Sequence, residues 1–126
     1  MSKILGIDWG SRRVGLAVTD SAAKLAQPLP SLPSTANLIE QIKQLCQQEG
    51  VGTLVVGLPR GLDGQDTPQT VQVRQFAAKL AVTTKIPLKL QDEGLTSVTA
   101  RQAEPPPVDV DSAAASLILN DYLAGQ

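Results

Sequence analysis

The sequence predicts an α/β fold: one mixed sheet of five strands, with helices packed on it. Three observations carry this. Residues 3–9 and 13–19 are apolar runs on either side of Gly10-Ser11-Arg12, a polar break containing glycine, which is a hairpin signature. Residues 25–32 add a third extended piece, and Pro28, Pro30 and Pro33 remove ladder donors, so it belongs at a sheet margin. Beyond it the pattern runs helix, strand, helix, strand, helix, an order that builds parallel strands with helical crossovers.

Each element has its own warrant. After the hairpin, Asp20 to Lys24 reads as a polar turn. Ser34-Thr35 offers an N-cap, and Leu38, Ile39, Ile42, Leu45 and Cys46 recur at helical spacing as far as Gly50. That is a helix of about four turns. Thr53 to Gly57 is a short run suited to a strand covered on both faces. A turn-rich loop, Leu58 to Gly64, follows. Thr67-Pro68 then supplies a cap with proline at the first helical position, and Val73, Phe76, Ala77 and Leu80 line one helical face. Ile86, Leu88 and Leu90 alternate with Pro87, Lys89 and Gln91, a strand with one buried face that ends in Asp92-Glu93. A short helix is expected from Thr96 or Ser97 to just before Pro105-Pro106-Pro107. The last helix opens at Asp109 and runs to about Ala124, burying Ala114, Ala115, Ile118 and Tyr122. No repeat or linker interrupts the chain, so residues 1–126 are expected to form a single domain.

Composition narrows the chemistry. The chain has 126 residues, 42% of them hydrophobic, one cysteine (Cys46) and no histidine. Zinc sites of the usual kinds, Ser-His and Cys-His pairs and a histidine base are thereby excluded. Any acid-base or metal chemistry must use carboxylates, lysines or hydroxyls. A net charge of −1 and a pI near 5.3 argue against a strongly basic nucleic-acid coat. No apolar run reaches membrane-spanning length, and no signal peptide precedes the first strand. The expectation is a cytoplasmic protein without membrane contact.

Three acidic positions are oddly placed. Asp8 closes an apolar strand, where a carboxylate is costly unless something pairs with it. Asp92 and Glu93 close the last strand, and Asp111 lies in the first turn of the last helix on the face of Ala114, Ala115 and Ile118. If the first and last strands run parallel, their carboxyl ends share one edge, where ligands of open α/β sheets gather. Oxygen ligands alone suit Mg²⁺ or Mn²⁺. Each acid also has a passive reading. Asp111 would favour a helix dipole, and Asp92-Glu93 would form a solvated turn before Gly94.

The chain resembles the YqgF (RuvX) family of Holliday-junction-resolvase-like proteins, also described as pre-16S ribosomal RNA nucleases. The resemblance rests on Gly6-Ile7-Asp8-Trp9-Gly10-Ser11-Arg12-Arg13-Val14-Gly15-Leu16-Ala17 with Asp20, and on Val55-Val56-Gly57-Leu58-Pro59 with Asp63-Gly64. Asp92-Glu93 with Leu95-Thr96, and Asp111-Ser112 through Leu119 with Tyr122-Leu123, complete it in the right order. It implies an RNase H-like fold and metal-dependent cleavage of structured nucleic acid, with 5′-end processing of precursor 16S ribosomal RNA as the expected task. It further implies Asp8, Glu93 and Asp111 as the catalytic, metal-binding set, with Asp92 as the alternative to Glu93. The chain departs from the family in Gly94, where arginine is usual, in Trp9 for tyrosine or phenylalanine, and in a short, less basic segment before the last helix.

Arg12, Arg13, Arg60 and Arg101 are the cations left to grip a backbone phosphate, each also readable as a solvated surface arginine. Trp9 is read as core or rim packing rather than as part of a stacking platform. The expected partner is precursor ribosomal RNA or branched DNA, bound by a monomer or weak homodimer. A Holliday-junction-resolvase-like DNA nuclease and a catalytically silent nucleic-acid-binding protein are the alternatives. A phosphate-binding module of the actin and sugar-kinase type also shares Gly-Ile-Asp-x-Gly, but needs a second domain to hold nucleotide.

Overall fold

Gly10 lets the first hairpin close, because a Cβ there would stand 2.7 Å from the Arg13 carbonyl oxygen. The computed structural model describes residues 3–20, 26–61, 64–93 and 110–125, apart from the side chains of Asp20, Glu93, Val110 and Asp111. Strands β1 (Lys3–Trp9) and β2 (Arg13–Asp20) pair antiparallel, with Ile7 opposite Leu16 and Asp8 opposite Gly15. Strand β3 (Gln27–Pro33) pairs antiparallel with β2 and forms one sheet edge, the position its prolines require.

Helix α1 (Leu38–Glu49) begins later than the expected Ser34-Thr35 cap. Thr35 is instead held in a turn, its carbonyl accepting from the Leu38 N–H at 3.1 Å and its hydroxyl donating to Asn37 Oδ1 at 2.5 Å. Asn37 becomes the cap residue by backbone position, with no side-chain capping bond. The helix is about one turn shorter than predicted. It ends at Gly50, where φ of 71° suits glycine. Burial of Cys46 on α1 pushes its thiol up to about 11.

Strand β4 (Val51–Pro59) extends the expected run at both ends and lies parallel to β1. Helix α2 (Pro68–Thr84) starts as the sequence predicts. Thr67 Oγ1 accepts from the Thr70 N–H at 3.2 Å, and the Thr67 N–H donates to Thr70 Oγ1 at 2.9 Å. The Thr70 hydroxyl also donates to the Pro59 carbonyl at 2.5 Å, fixing the helix start to the carboxyl end of β4. Strand β5 (Leu88–Glu93) lies parallel to β4 at the other sheet edge, and helix α3 (Val110–Ala124) closes the described chain.

The sheet order is β3-β2-β1-β4-β5, the mixed five-stranded arrangement expected from the sequence. On one face Leu5, Ile7, Leu16, Leu54 and Val56 pack against Ile42 of α1 and Val73, Phe76 and Leu80 of α2. On the other, Ala17 and Val55 pack against Ala115, Ile118 and Leu119 of α3. Tyr122 is only partly buried there, while Leu119, absent from the expected face, is fully buried. Leu90 is 40% exposed rather than buried, because it sits on an edge strand. The expected short helix between residues 96 and 104, and the Asp109 cap, lie outside the described residues. No helix among the described residues is long and apolar enough to cross a membrane.

Candidate active site

Since β1, β4 and β5 are mutually parallel, their carboxyl ends meet at one edge of the sheet. Side chains alternate between faces along each strand. Leu5 and Ile7 lie in the core under α1 and α2, whereas Gly6 lies against α3, so Asp8 shares the α3 face. Asp8 is half-buried, one residue beyond the Ile7–Val56 pair.

The same parity separates the two acids of β5. Asp92 stands in register with Leu58, a residue of the α1 and α2 core, and Glu93 with Pro59. Position 93 therefore falls on the face of Asp8, and Asp92 on the opposite one. The Asp92 carboxylate is also engaged, accepting from Arg60 Nε at 3.1 Å. Strand β4 lies between β1 and β5, so about 10 Å of ladder separates Asp8 from β5. Gly57, on the α3 face in register with Gln91, presents no side chain across that gap.

The third acid is carried by α3, and one hydroxyl fixes where that helix begins. Between Val14 and Leu16 the β2–β3 register slips. There the fully buried Ser112 hydroxyl accepts from the Leu16 N–H at 3.4 Å and donates to the Leu29 carbonyl, bridging the two strands. Leu16 directly follows Gly15, the partner of Asp8. Asp111 precedes Ser112 in the first turn of α3, so its backbone is tied close to the level of Asp8. The side chains of Glu93 and Asp111 lie outside those described, and no three acidic or thiol groups converge among the described residues.

The four arginines divide. Arg12 and Arg13 are exposed in the hairpin turn just past Asp8. That turn is braced from α1's approach, with the Ser34 N–H donating to the Arg12 carbonyl at 2.9 Å and the Ser34 hydroxyl to the Gly10 carbonyl at 2.5 Å. Arg60 is engaged within its own loop, reaching Asp66 at 2.5 Å, Asp92 at 3.1 Å and the Gly64 carbonyl at 3.2 Å. Its hydrogen bond to Asp92 above all, with the nearby charges of Asp92 and Asp66, raises its pKa further. Arg101 lies outside the described residues. Trp9 packs at the rim of the core, as read from sequence, its ring 6.1 Å from that of Phe76 and tilted by 36°.

Two positioning residues escaped the sequence reading. A Cβ on Gly6 would come 2.9 Å from Leu119 Cβ and 3.1 Å from the Ala115 carbonyl, so α3 sits on β1 at glycine distance. Ser112 is the other. Its one visible signal is a hydroxyl set into a nearly apolar helical segment.

A protein-family model described as "RuvX: Holliday junction resolvase" matches residues 2–125. The chain is 39% identical over 130 residues to a Chloroflexus aggregans protein named "Putative pre-16S rRNA nuclease", covering 95% of this chain and 92% of that one. A Maridesulfovibrio salexigens protein of the same name is 37% identical over 132 residues, covering 97% and 98%. Among solved structures, "T. thermophilus RuvC in complex with Holliday junction substrate" matches with a TM-score of 0.60 at 13% identity, over 99% of this chain and 95% of that one. The fowlpox virus Holliday junction resolvase matches with a TM-score of 0.57 at 11% identity, over 98% of each chain. The sheet and its helices thus have the RuvC-like, RNase H-type fold.

Proposed function

Because the chain belongs to the RuvX family of Holliday junction resolvases, we propose that it is a metal-dependent nuclease acting on structured nucleic acid, with the 5′ end of precursor 16S ribosomal RNA as its substrate. The observation that supports this most is the ladder register. Asp8 and position 93 share one face of the carboxyl edge, Gly57 places no side chain on the strand between them, and Ser112 ties the turn bearing Asp111 beside them. The cytoplasm, where ribosomal precursors are processed, is the corresponding location.

The donor chemistry fits a hard cation, since the chain offers carboxylates and has no histidine. Asp8, Glu93 and Asp111 would hold Mg²⁺ or Mn²⁺, which when bound supplies an activated water and charge neutralisation at the phosphate. Asp8 is carried on a central strand, so its carboxylate is held without reorganisation when substrate arrives. Arg12 and Arg13 project from the turn at the same edge and grip phosphates flanking the cut, with Arg101 as a further contact. Arg60 holds its own loop and Asp92 in place rather than the substrate.

The test is cleavage of an end-labelled RNA spanning the precursor 16S leader, beside a four-way DNA junction, each with Mg²⁺, Mn²⁺ or chelator. The expected result is metal-dependent cutting of the RNA. Asp8→Asn should slow it about a thousandfold, the loss of several kcal/mol of transition-state stabilisation. Its circular-dichroism spectrum should stay that of the wild type, because Asn keeps the shape of Asp and a side chain able to hydrogen-bond. No cutting of either substrate, or full activity of Asp8→Asn, would falsify the reading. Cutting of the junction alone would move the substrate to branched DNA.

A further inference from the structure

On the sheet face opposite Asp8, a cleft of about 460 Å³ opens between the hairpin turn, the start of α1 and the outer side of α2. Its volume is that of a small-ligand site. The described lining is chemically mixed. Trp9 and Phe76 supply an aromatic wall, Gln72 and Gln75 lie three residues apart on α2, and Ser11 and Lys79 stand at the margin. Gln72, Gln75, Ser11 and Lys79 are exposed and make no hydrogen bond or ion pair to any described residue. Planar apolar surface, two amides carrying both donors and acceptors, and one cation together suit a nucleobase with its phosphate.

The position of Trp9 links the cleft to the candidate active site. Asp8 and Trp9 are consecutive, about 3.8 Å apart at Cα, and the pleat turns them to opposite faces. Strand β1 ends there, so a polynucleotide crossing the carboxyl edge at Asp8 passes the mouth of the cleft within one nucleotide. We propose that the cleft receives one unpaired base of a single-stranded RNA segment adjoining the cut, stacked against Trp9 and hydrogen-bonded by Gln72 and Gln75, with Lys79 on its phosphate. This rests on the nuclease reading and deepens it, because it makes the substrate a structured RNA with a single-stranded flank. A base held in a paired helix cannot enter.

Trp9 is the only tryptophan in the chain, so intrinsic fluorescence reports on the cleft directly. The experiment titrates wild-type protein, in chelator, with an end-labelled hexamer of adenylate, reading Trp9 emission and label anisotropy together. Binding by anisotropy should quench Trp9. Gln75→Ala and Lys79→Ala should each raise Kd by roughly three- to tenfold, and a duplex of the same length should leave Trp9 unquenched. Adenosine monophosphate at the saturating concentration of the strand should also leave it unquenched. The proposal is overturned by absence of binding, by binding with unchanged Trp9 emission, by wild-type affinity in both variants, or by a duplex that quenches equally. Quenching by the mononucleotide at the Kd of the strand would overturn it too, since the cleft would then be a free-nucleotide pocket. Failure here is separable from failure of the nuclease reading. A strand that quenches Trp9 while no RNA is ever cut leaves the base pocket standing, and RNA cut normally with Trp9 silent leaves the nuclease standing.

Discussion

The two faces of the sheet are built on different principles. Under α1 and α2 the filling is large and aliphatic: Leu5, Ile7, Leu16, Ile42, Leu54, Val56 and Leu80 are at most 1% exposed. Under α3 the closest approach is made by small residues, Gly6 and Ala17 from the strands and Ala115 from the helix, with Val55, Ile118 and Leu119 buried around them and Ile4, Tyr122 and Leu123 at the margin. Long side chains can re-seat when a neighbour changes, whereas a helix backbone resting on a glycine has no slack. Among the described residues, the first face holds most of the large, fully buried side chains. The second fixes a distance, and it is the face on which Asp8 lies.

If that division is correct, the two faces should fail differently. Leu54→Ala, at the centre of the thick face, should cost about 2–5 kcal/mol in denaturant unfolding. Under conditions where the variant stays folded, its cleavage rate should remain near wild type. Gly6→Ala should cost less in stability, about 1–3 kcal/mol for an overpacked contact. Yet it should lower cleavage by about tenfold or more, because the added methyl pushes α3, and with it Asp111, away from β1. Equal loss of activity in the two variants, compared at matched fractions folded, would erase the distinction between the faces.

Much of this arrangement was legible because its signals are local. Gly10 in a polar break, Thr67-Pro68 before an amphipathic stretch and Gly50 after one each act within a few residues, and each element formed where they indicated. The start of α1 was misread because Thr35 and Asn37 can both cap, and only the turn that engages Thr35 decides between them. The choice between Asp92 and Glu93 was open for a different reason. Pleat parity depends on where β5 meets β4, and a slip of one residue would exchange the two. Leu119 was missed because α3 is apolar nearly all round, so periodicity hardly marks its buried side. Ser112 finds its partners in β2 and β3, 96 and 83 residues away. No local pattern announces such a bond.

The smallest predicted effect concerns the arginines, and it decides whether the edge near Asp8 has a dedicated phosphate grip. Arg12 is exposed on the turn past Asp8, while Arg60 is committed to Asp66, Asp92 and the Gly64 carbonyl. A cation on a backbone phosphate releases counterions, so its loss flattens the dependence of log affinity on log salt by about one unit per contact. RNA binding measured between low and moderate salt should show that flattening for Arg12→Ala. In Arg60→Ala the slope should stay at the wild-type value, because its charge is already answered by two carboxylates. Exposed ion pairs contribute little to stability, so neither variant should melt much earlier than wild type, and any change in binding reports on phosphate contact itself. A flattened slope in Arg60→Ala would return that residue to the substrate. The gripping surface would then extend along the loop after β4 toward β5, rather than staying with the hairpin.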